Sequence, residues 1–204
     1  MRTEGPEPFR LFIAVTLPEA VKDAIEKAQA QLRRVAPEGR VRWTRRDQLH
    51  VTLRFLGNVE AGRGGPLTEA LQACCHEFAP LHLRAEQIGF FPDSRFPRVV
   101  WVGVRDAQDK LRLLQGAVQA ATAAFTTEKA EERFAGHVTL GRIKGLRRPE
   151  AETLAGVAAR AAERPFGQWV AKEIEIIRSE LSPKGAHYTP LAGVALTGPP
   201  SPNT

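Results

Sequence analysis

Two cysteines are too few to staple a fold of 204 residues, and they stand side by side as Cys74 and Cys75. With no third partner, a structural disulfide within the chain is not expected, and a reducing cytoplasm is the simplest home. Long apolar runs are also missing. Stretches such as Leu11 to Val15 are far too short to span a bilayer. The first residues have Arg2 but also Glu4 and Glu7, and no apolar core segment, so they do not read as a secretory signal. What is present is an ordinary globular balance, with 43% hydrophobic and 25% charged residues. A chain of this length buries a real core as one large domain or two small lobes.

Acidic charge is in deficit. Lysine and arginine number 29 against 23 carboxylates, a net charge of +6. Basic clusters fall at Arg33-Arg34, Arg40 to Arg46 and Lys144 to Arg148. A basic surface favours polyanions, nucleic acid above all. Arginine and alanine enrichment also follows from genome composition, so charge agrees with a substrate class without identifying one.

Against this background one string occurs twice. His50-Val51-Thr52-Leu53 returns as His137-Val138-Thr139-Leu140, 87 positions later, using two of only five histidines. Five His and 13 Thr would produce about 0.3 His-x-Thr triplets by chance. Residues i and i+2 of a strand share a face. His50 and Thr52 therefore point together while Val51 and Leu53 face the core, and His137 and Thr139 do the same against Val138 and Leu140.

The surroundings repeat as well. Phe9 to Leu17 reads as a strand, and Pro18 opens a helix with Val21, Ala24, Ile25, Ala28, Leu32 and Val35 on one stripe. Strands are expected at Val41 to Trp43 and Leu49 to Leu56. After a glycine-rich loop, Asn58 to Pro66, comes a helix faced by Leu67, Leu71, Cys74 and Phe78, then a strand from Leu81 to Phe90. The pattern restarts with a strand at Val99 to Val104 and a helix capped by Asp106, with Leu111, Leu114, Val118, Ala121 and Phe125 on its stripe. The second His-x-Thr strand, His137 to Ile143, precedes a helix opened by Pro149. Trp169 to Leu181 and Tyr188 to Leu196 read as strands, and Gly198 to Thr204 as a disordered tail.

An offset near 88 residues held across several elements is an internal repeat. It predicts an α+β fold: one bilobal domain over residues 8–197, with halves of roughly 8–92 and 97–197. The lobes are related by an approximate two-fold, with mainly antiparallel sheet, helices on the outer faces and a central cleft. The chain is free to cross between lobes more than once.

Two imidazoles and two hydroxyls facing one cleft suit acid-base work on a phosphate. Imidazole titrates near neutrality, so one ring can take a proton while the other gives one. Threonine hydroxyls can donate to phosphoryl oxygens. A metal site fits poorly: threonine is a weak ligand, and no third His, Cys or carboxylate accompanies either motif at ligand spacing. Arg54 shares the His50 face by parity. Arg142 lies just past the second motif and suits phosphate, but on a regular strand it points away from Thr139 and needs a twist or bulge. Trp43 and Tyr188 are candidates to stack a base, whereas Phe55 shares parity with Val51 and Leu53 and belongs in the core. His76, His82 and His187 read as surface residues. Gly62 to Gly65 is no P-loop, since Gly-Lys-Ser/Thr does not come after it.

At these residues the chain resembles the two-histidine phosphoesterase superfamily. HVTLRFLG (50–57) and HVTLGR (137–142) are similar to its two signatures. The best match within it is the RNA 2′,3′-cyclic phosphodiesterases, historically called 2′-5′ RNA ligases. Trp43 before the first motif, the opening Phe9 to Val15 with Leu17-Pro18, and the segment Ser179 to Tyr188 agree. Gly136 departs from the proline common before the second histidine. The resemblance covers about residues 8–197. It implies metal-independent, cofactor-free hydrolysis of a terminal RNA 2′,3′-cyclic phosphate to a 2′-phosphomonoester, with 2′-5′ ligation as the reverse. It implies His50 as general acid to the leaving O3′, His137 as general base for water, and RNA ends, tRNA fragments included, as partners. A monomer is expected. Rival readings are a phosphodiesterase for a small nucleotide such as an ADP-ribose cyclic phosphate, and a non-catalytic RNA-binding module of the same fold.

Overall fold

The computed structural model describes residues 7–183 and 185–199. In chain order the elements are β1 (Phe9–Thr16), α1 (Glu19–Val35), β2 (Val41–Trp43), β3 (His50–Val59), α2 (Gly64–Cys75), β4 (Leu81–Phe91), β5 (Val99–Arg105), α3 (Lys110–Ala121), β6 (His137–Ile143), α4 (Arg148–Ala161), β7 (Gly167–Ala171), β8 (Glu173–Ser182) and β9 (Gly185–Ala195). Nine strands form one sheet in the order β7-β4-β5-β6-β3-β1-β8-β9, with β2 also paired to β6. Every pairing is antiparallel.

The order reads as two four-stranded halves meeting at β6 and β3. One lobe holds β7, β4, β5 and β6 with β2 added; the other holds β3, β1, β8 and β9. The two His-x-Thr strands touch at a single register pair, Val51 with Val138. Beyond that point they splay, which opens the cleft. The helices do not stay with their own strands. α1 comes after β1 but packs on α4 and β7 in the opposite lobe, while α2 and α3 pack together over β9 and β3. Counting each helix with the lobe it packs on, the chain thus crosses between lobes at α1, β3, β4, α3, β6 and β8.

The driving force is burial of helix stripes on one face of this sheet. In α1, Val21, Ile25, Ala28 and Leu32 are buried, and each large apolar side chain contributes about 1.5–3 kcal/mol when fully removed from water. One apolar core runs from Leu11 to Leu196 through both lobes. A small second cluster of Phe12, Ala14 and Ile177 lies apart, with Tyr188 against it.

Local details differ from the sequence pattern. The segment expected as one strand from Trp169 to Leu181 breaks at Lys172, and its pieces β7 and β8 lie near opposite ends of the sheet. Helix α3 starts at Lys110, not beside Asp106, because Asp109 turns left-handed at φ 56°. The Asp106 carboxylate still caps it, accepting the N–H of Lys110 at 2.8 Å and of Leu111 at 2.9 Å. Within the expected glycine loop, Asn58 and Val59 extend β3 and Gly64 opens α2. Gly198, assigned to a disordered tail, is buried and donates its N–H to the Phe78 carbonyl at 2.9 Å. The remainder of that tail, 200–204, lies outside the described residues.

Candidate active site

Strand alternation places His50 and Thr52, and His137 and Thr139, half-buried on the cleft face. Val51, Leu53, Val138 and Leu140 are buried on the other. The alternation then breaks at the same point in both strands. Along β1, Ala14 pairs with Thr52 and Ile13 with Arg54, leaving Leu53 as an extra residue. Along β5, Trp101 pairs with Thr139 and Val100 with Gly141, leaving Leu140 extra. Each is a β-bulge, and a bulge shifts every later side chain of the strand to the other face. At the second bulge the Leu140 carbonyl is satisfied outside the ladder, by the Thr44 N–H at 2.8 Å and the Gln29 amide at 2.9 Å.

The bulges decide which flanking residues reach the cleft. Arg142, which a regular strand would turn away, comes to the Thr139 side and is exposed. Phe55, expected in the core, is 55% exposed and lies 5.9 Å from Phe12, ring to ring. Arg54, expected at the cleft, is only 6% exposed. Its guanidinium donates to the carbonyls of Glu128 and Lys129, both at 2.6 Å, and to Gln119 Oε1 at 3.2 Å. It therefore anchors the segment leading to His137 and does not face substrate. Trp43 is also turned from the cleft. It alternates with Arg42 on β2, packs on the main core, and has the Arg33 guanidinium 5.4 Å from its ring. Tyr188 does reach the site, with its ring centroid 5.5 Å from that of His50.

Both imidazoles are held in the same way. His50 Nδ1 lies 2.8 Å from the Gln48 carbonyl, and His137 Nδ1 lies 2.7 Å from the Ala135 carbonyl, each two residues upstream. A carbonyl only accepts, so Nδ1 carries a proton in both rings and Nε2 is presented for chemistry. Each ring also rests on two aromatics. His50 meets Phe12 at 4.8 Å and Tyr188, while His137 meets Phe91 at 5.1 Å and Trp101 at 6.3 Å. These aromatic walls and the two carbonyls escape strand periodicity, because they come from neighbouring strands and from the backbone.

His50 has two further features. Burial lowers the His50 pKa to about 4, with repulsion from His137 adding to it and the Gln48 carbonyl opposing it. Neutral His50 accepts the Thr52 hydroxyl at Nε2, 2.9 Å away. The Tyr188 phenol is raised by burial, an effect partly offset by Arg142, Arg10 and Arg42. His76, His82 and His187 are exposed, and His76 bonds Thr197 Oγ1 at 3.0 Å. Among the described residues no three His, Cys, Asp or Glu side chains group as a metal site, and no helix is long and apolar enough to cross a membrane.

The departure at Gly136 has a steric origin. A Cβ there would stand 2.5 Å from the Val104 carbonyl oxygen and 2.7 Å from Leu111 Cδ2. Nearby, Trp101, Phe134 and Ala135 line a cavity of about 250 Å³. A larger one, about 590 Å³, lies farther out between His82, Arg84 and Gln168, away from both histidines.

Comparison with known proteins matches this geometry. The family model of LigT-like phosphoesterases matches twice, over residues 15–101 and 102–188. A Thermus thermophilus protein named RNA 2′,3′-cyclic phosphodiesterase is 32% identical, covering 93% of this chain and 91% of that protein. One of the same name from Archaeoglobus fulgidus is 30% identical, covering 90% and 98%. The crystal structure of E. coli LigT complexed with 3′-AMP superposes with a TM-score of 0.72 at 26% identity, covering 94% of this chain and 99% of that one. The two matched halves repeat with the same spacing as the two histidines, and the chain belongs to the LigT-like phosphoesterase family.

Proposed function

We propose that the protein hydrolyses the 2′,3′-cyclic phosphate at the end of an RNA to a 2′-phosphomonoester, and joins 2′-5′ ends when a 5′-hydroxyl takes the place of water, the reverse of 2′-5′ cleavage. The observation that supports this best is the matched orientation of the two imidazoles. Each is locked by a backbone carbonyl at Nδ1, and each offers Nε2 on a face it shares with a threonine. Relatives of similar length named RNA 2′,3′-cyclic phosphodiesterase agree with it.

His137 acts as the base. Its Nε2 takes a proton from water as the water oxygen bonds to phosphorus. The P–O3′ bond breaks on the opposite side, and His50 Nε2–H protonates the leaving O3′. Each such proton transfer is worth about 10²–10⁴ in rate. Thr52 and Thr139 donate to the non-bridging oxygens, where charge gathers in the transition state. His50 is neutral in the free protein, so the anionic phosphate itself must raise its proton affinity. Protonation reverses the His50–Thr52 bond: Nε2–H becomes the donor and the Thr52 hydroxyl proton is freed for phosphate. Arg142 and Tyr188 complete the substrate contacts. No step calls for a metal, because the residues offered beside each histidine are threonines, poor metal ligands.

The test is incubation with an oligoribonucleotide ending in 2′,3′-cyclic phosphate, in the presence of EDTA, with analysis of the end groups. A 2′-phosphate product is expected. A 3′-phosphate product, or no turnover, would sink the reading; turnover of a small nucleotide cyclic phosphate but not of RNA would move the substrate class.

A further inference from the structure

The mouth of the cleft brings like charges together. Arg42 on β2 is the direct cross-strand partner of Arg142 on β6. Both are exposed. Facing pairs in an antiparallel ladder have Cβ atoms about 4.5–5.5 Å apart, and like charges placed so are destabilising. Other arginines here relieve such crowding with carboxylates: Arg46 bridges Glu19, Asp23 and Glu26, and Arg45 holds Asp47. Among the described residues Arg42 and Arg142 form no ion pair, and neither does Arg10.

Arg42 also spans the two lobes. Gly185 on β9 is buried, and a Cβ built there would stand 3.1 Å from Arg42 Nη2. The guanidinium is thus laid against the opposite lobe, at the base of the strand that carries Tyr188. Arg10 is exposed and lies two residues before Phe12 on β1, so it shares the face on which Phe12 meets His50. Arg10, Arg42 and Arg142 all act on the Tyr188 phenol, whose ring in turn packs on His50. The carboxylate within reach of that phenol, Asp47, is bonded to Arg45 at 2.7 and 3.0 Å. The result is a basic mouth beside His50 with its local carboxylate already engaged.

Resting on the hydrolase reading above, we propose that Arg42 and Arg10 hold a second phosphate: the backbone phosphate next to the cyclic end of an RNA strand. The scissile phosphate is served by two imidazoles and two threonines with Arg142 beside them, so Arg42 and Arg10 are available for another anion. A mononucleotide has no such phosphate, and an RNA strand always does. The cluster therefore selects polynucleotide ends over small cyclic nucleotides.

The experiment compares a nucleoside 2′,3′-cyclic monophosphate with an oligoribonucleotide ending in the same group, in wild type, Arg42→Gln and Arg10→Gln. Each substitution should lower the oligonucleotide-to-mononucleotide ratio of kcat/KM by about tenfold, the effect of one lost charged contact. An unchanged ratio overturns the proposal. So does an equal fall on both substrates, which would place the arginine at the scissile phosphate. A second readout needs no turnover: the salt dependence of binding to a fluorescent oligoribonucleotide should lose a slope of about 0.7 per arginine. If that slope falls but neither substrate is hydrolysed, the hydrolase reading fails and this one stands. Folding is checked by melting at low salt. Arg42→Gln should melt at or above wild type without ligand, and pyrophosphate should stabilise wild type more than the variant. A variant that melts lower and responds equally to pyrophosphate would make Arg42 structural and overturn the site.

Discussion

The strand around His50 and the strand around His137 share four residues, a bulge and a hydrogen-bonding plan, and then part company. Past the bulge, Arg54 in one strand corresponds to Gly141 in the other, and Phe55 corresponds to Arg142. The shared parts set the presentation of each ring: an imidazole locked at Nδ1, a threonine on the same face, and a bulge that re-aims the next residues of the strand. The unshared parts concern environment. On the His50 side the cleft residue is aromatic and the inward one is a buried arginine. On the His137 side the cleft residue is cationic and the inward one is a glycine, over which Val41 and Trp43 close. The repeat makes the two imidazole sites equivalent; the neighbours make them different.

The most severe way to break the comparison is to remove either ring. His50→Ala and His137→Ala should each lower kcat/KM by about 10²–10⁴. In the proposed mechanism the two act in one step, so the double variant should fall little below the worse single one. Steady-state rates on a cyclic-phosphate oligonucleotide decide this. Additive losses would mean that the two halves work independently.

Next in size is Arg54, the residue by which the His50 strand holds the approach to His137. Replacing it with Met leaves two carbonyls and Gln119 without their charged donor. The expected cost is about 2–4 kcal/mol, since hydrogen bonds to charged groups contribute about 1.5–3 kcal/mol each but relaxation recovers part. Denaturant melts measure it. Hydrogen exchange should rise first at 128–131, and an even rise across the sheet would contradict a local anchor.

Smaller still is the effect of the residue before each histidine. Leu49 is buried in the core, whereas Gly136 has backbone and Leu111 where its Cβ would go. Gly136→Ala should destabilise by about 1–3 kcal/mol, the usual range for overpacking, in a thermal or denaturant melt. A neutral result would show that Val104 and Leu111 give way easily.

These contrasts also mark what the sequence could reveal. The repeat, the antiparallel halves, the helix stripes and the His–Thr parity are legible because they are periodic. Arg54, Phe55 and Arg142 are misplaced, or placed only conditionally, because period-2 reasoning runs through a bulge as if it were absent. A bulge is set by the partner strand and by the groups that satisfy the freed carbonyl, here Gln29 of α1 and the Thr44 N–H, 111 and 96 positions away in the chain. Trp43 escapes the pattern for a related reason: β2 joins the opposite lobe, so its faces are fixed by β6 and not by its neighbour β3. The split between β7 and β8 stays hidden because both halves of that segment are good strands, and only the sheet order sends them apart.

The finest test concerns charge. Burial holds His50 neutral, with a pKa of about 4 against an ordinary value near 6.5. A lowered value means that the unfolded chain takes up its proton first as the solution is acidified. The stability this ring allows above pH 6.5 is therefore lost as pH falls from about 6.5 toward 4. His50→Asn, which removes the titration, should flatten that part of the stability curve. The same shift bears on catalysis. An acid must carry a proton, and in the free protein His50 does so only at low pH. Bound phosphate supplies the opposite charge and should raise its pKa. The basic limb of kcat, which reports the complex, should then lie at higher pH than the basic limb of kcat/KM, which reports the free protein. NMR titration of the His50 ring with and without a nucleoside 2′-phosphate gives the same comparison directly. A ring that titrates identically in both states would remove His50 as the acid and exchange the roles of the two halves.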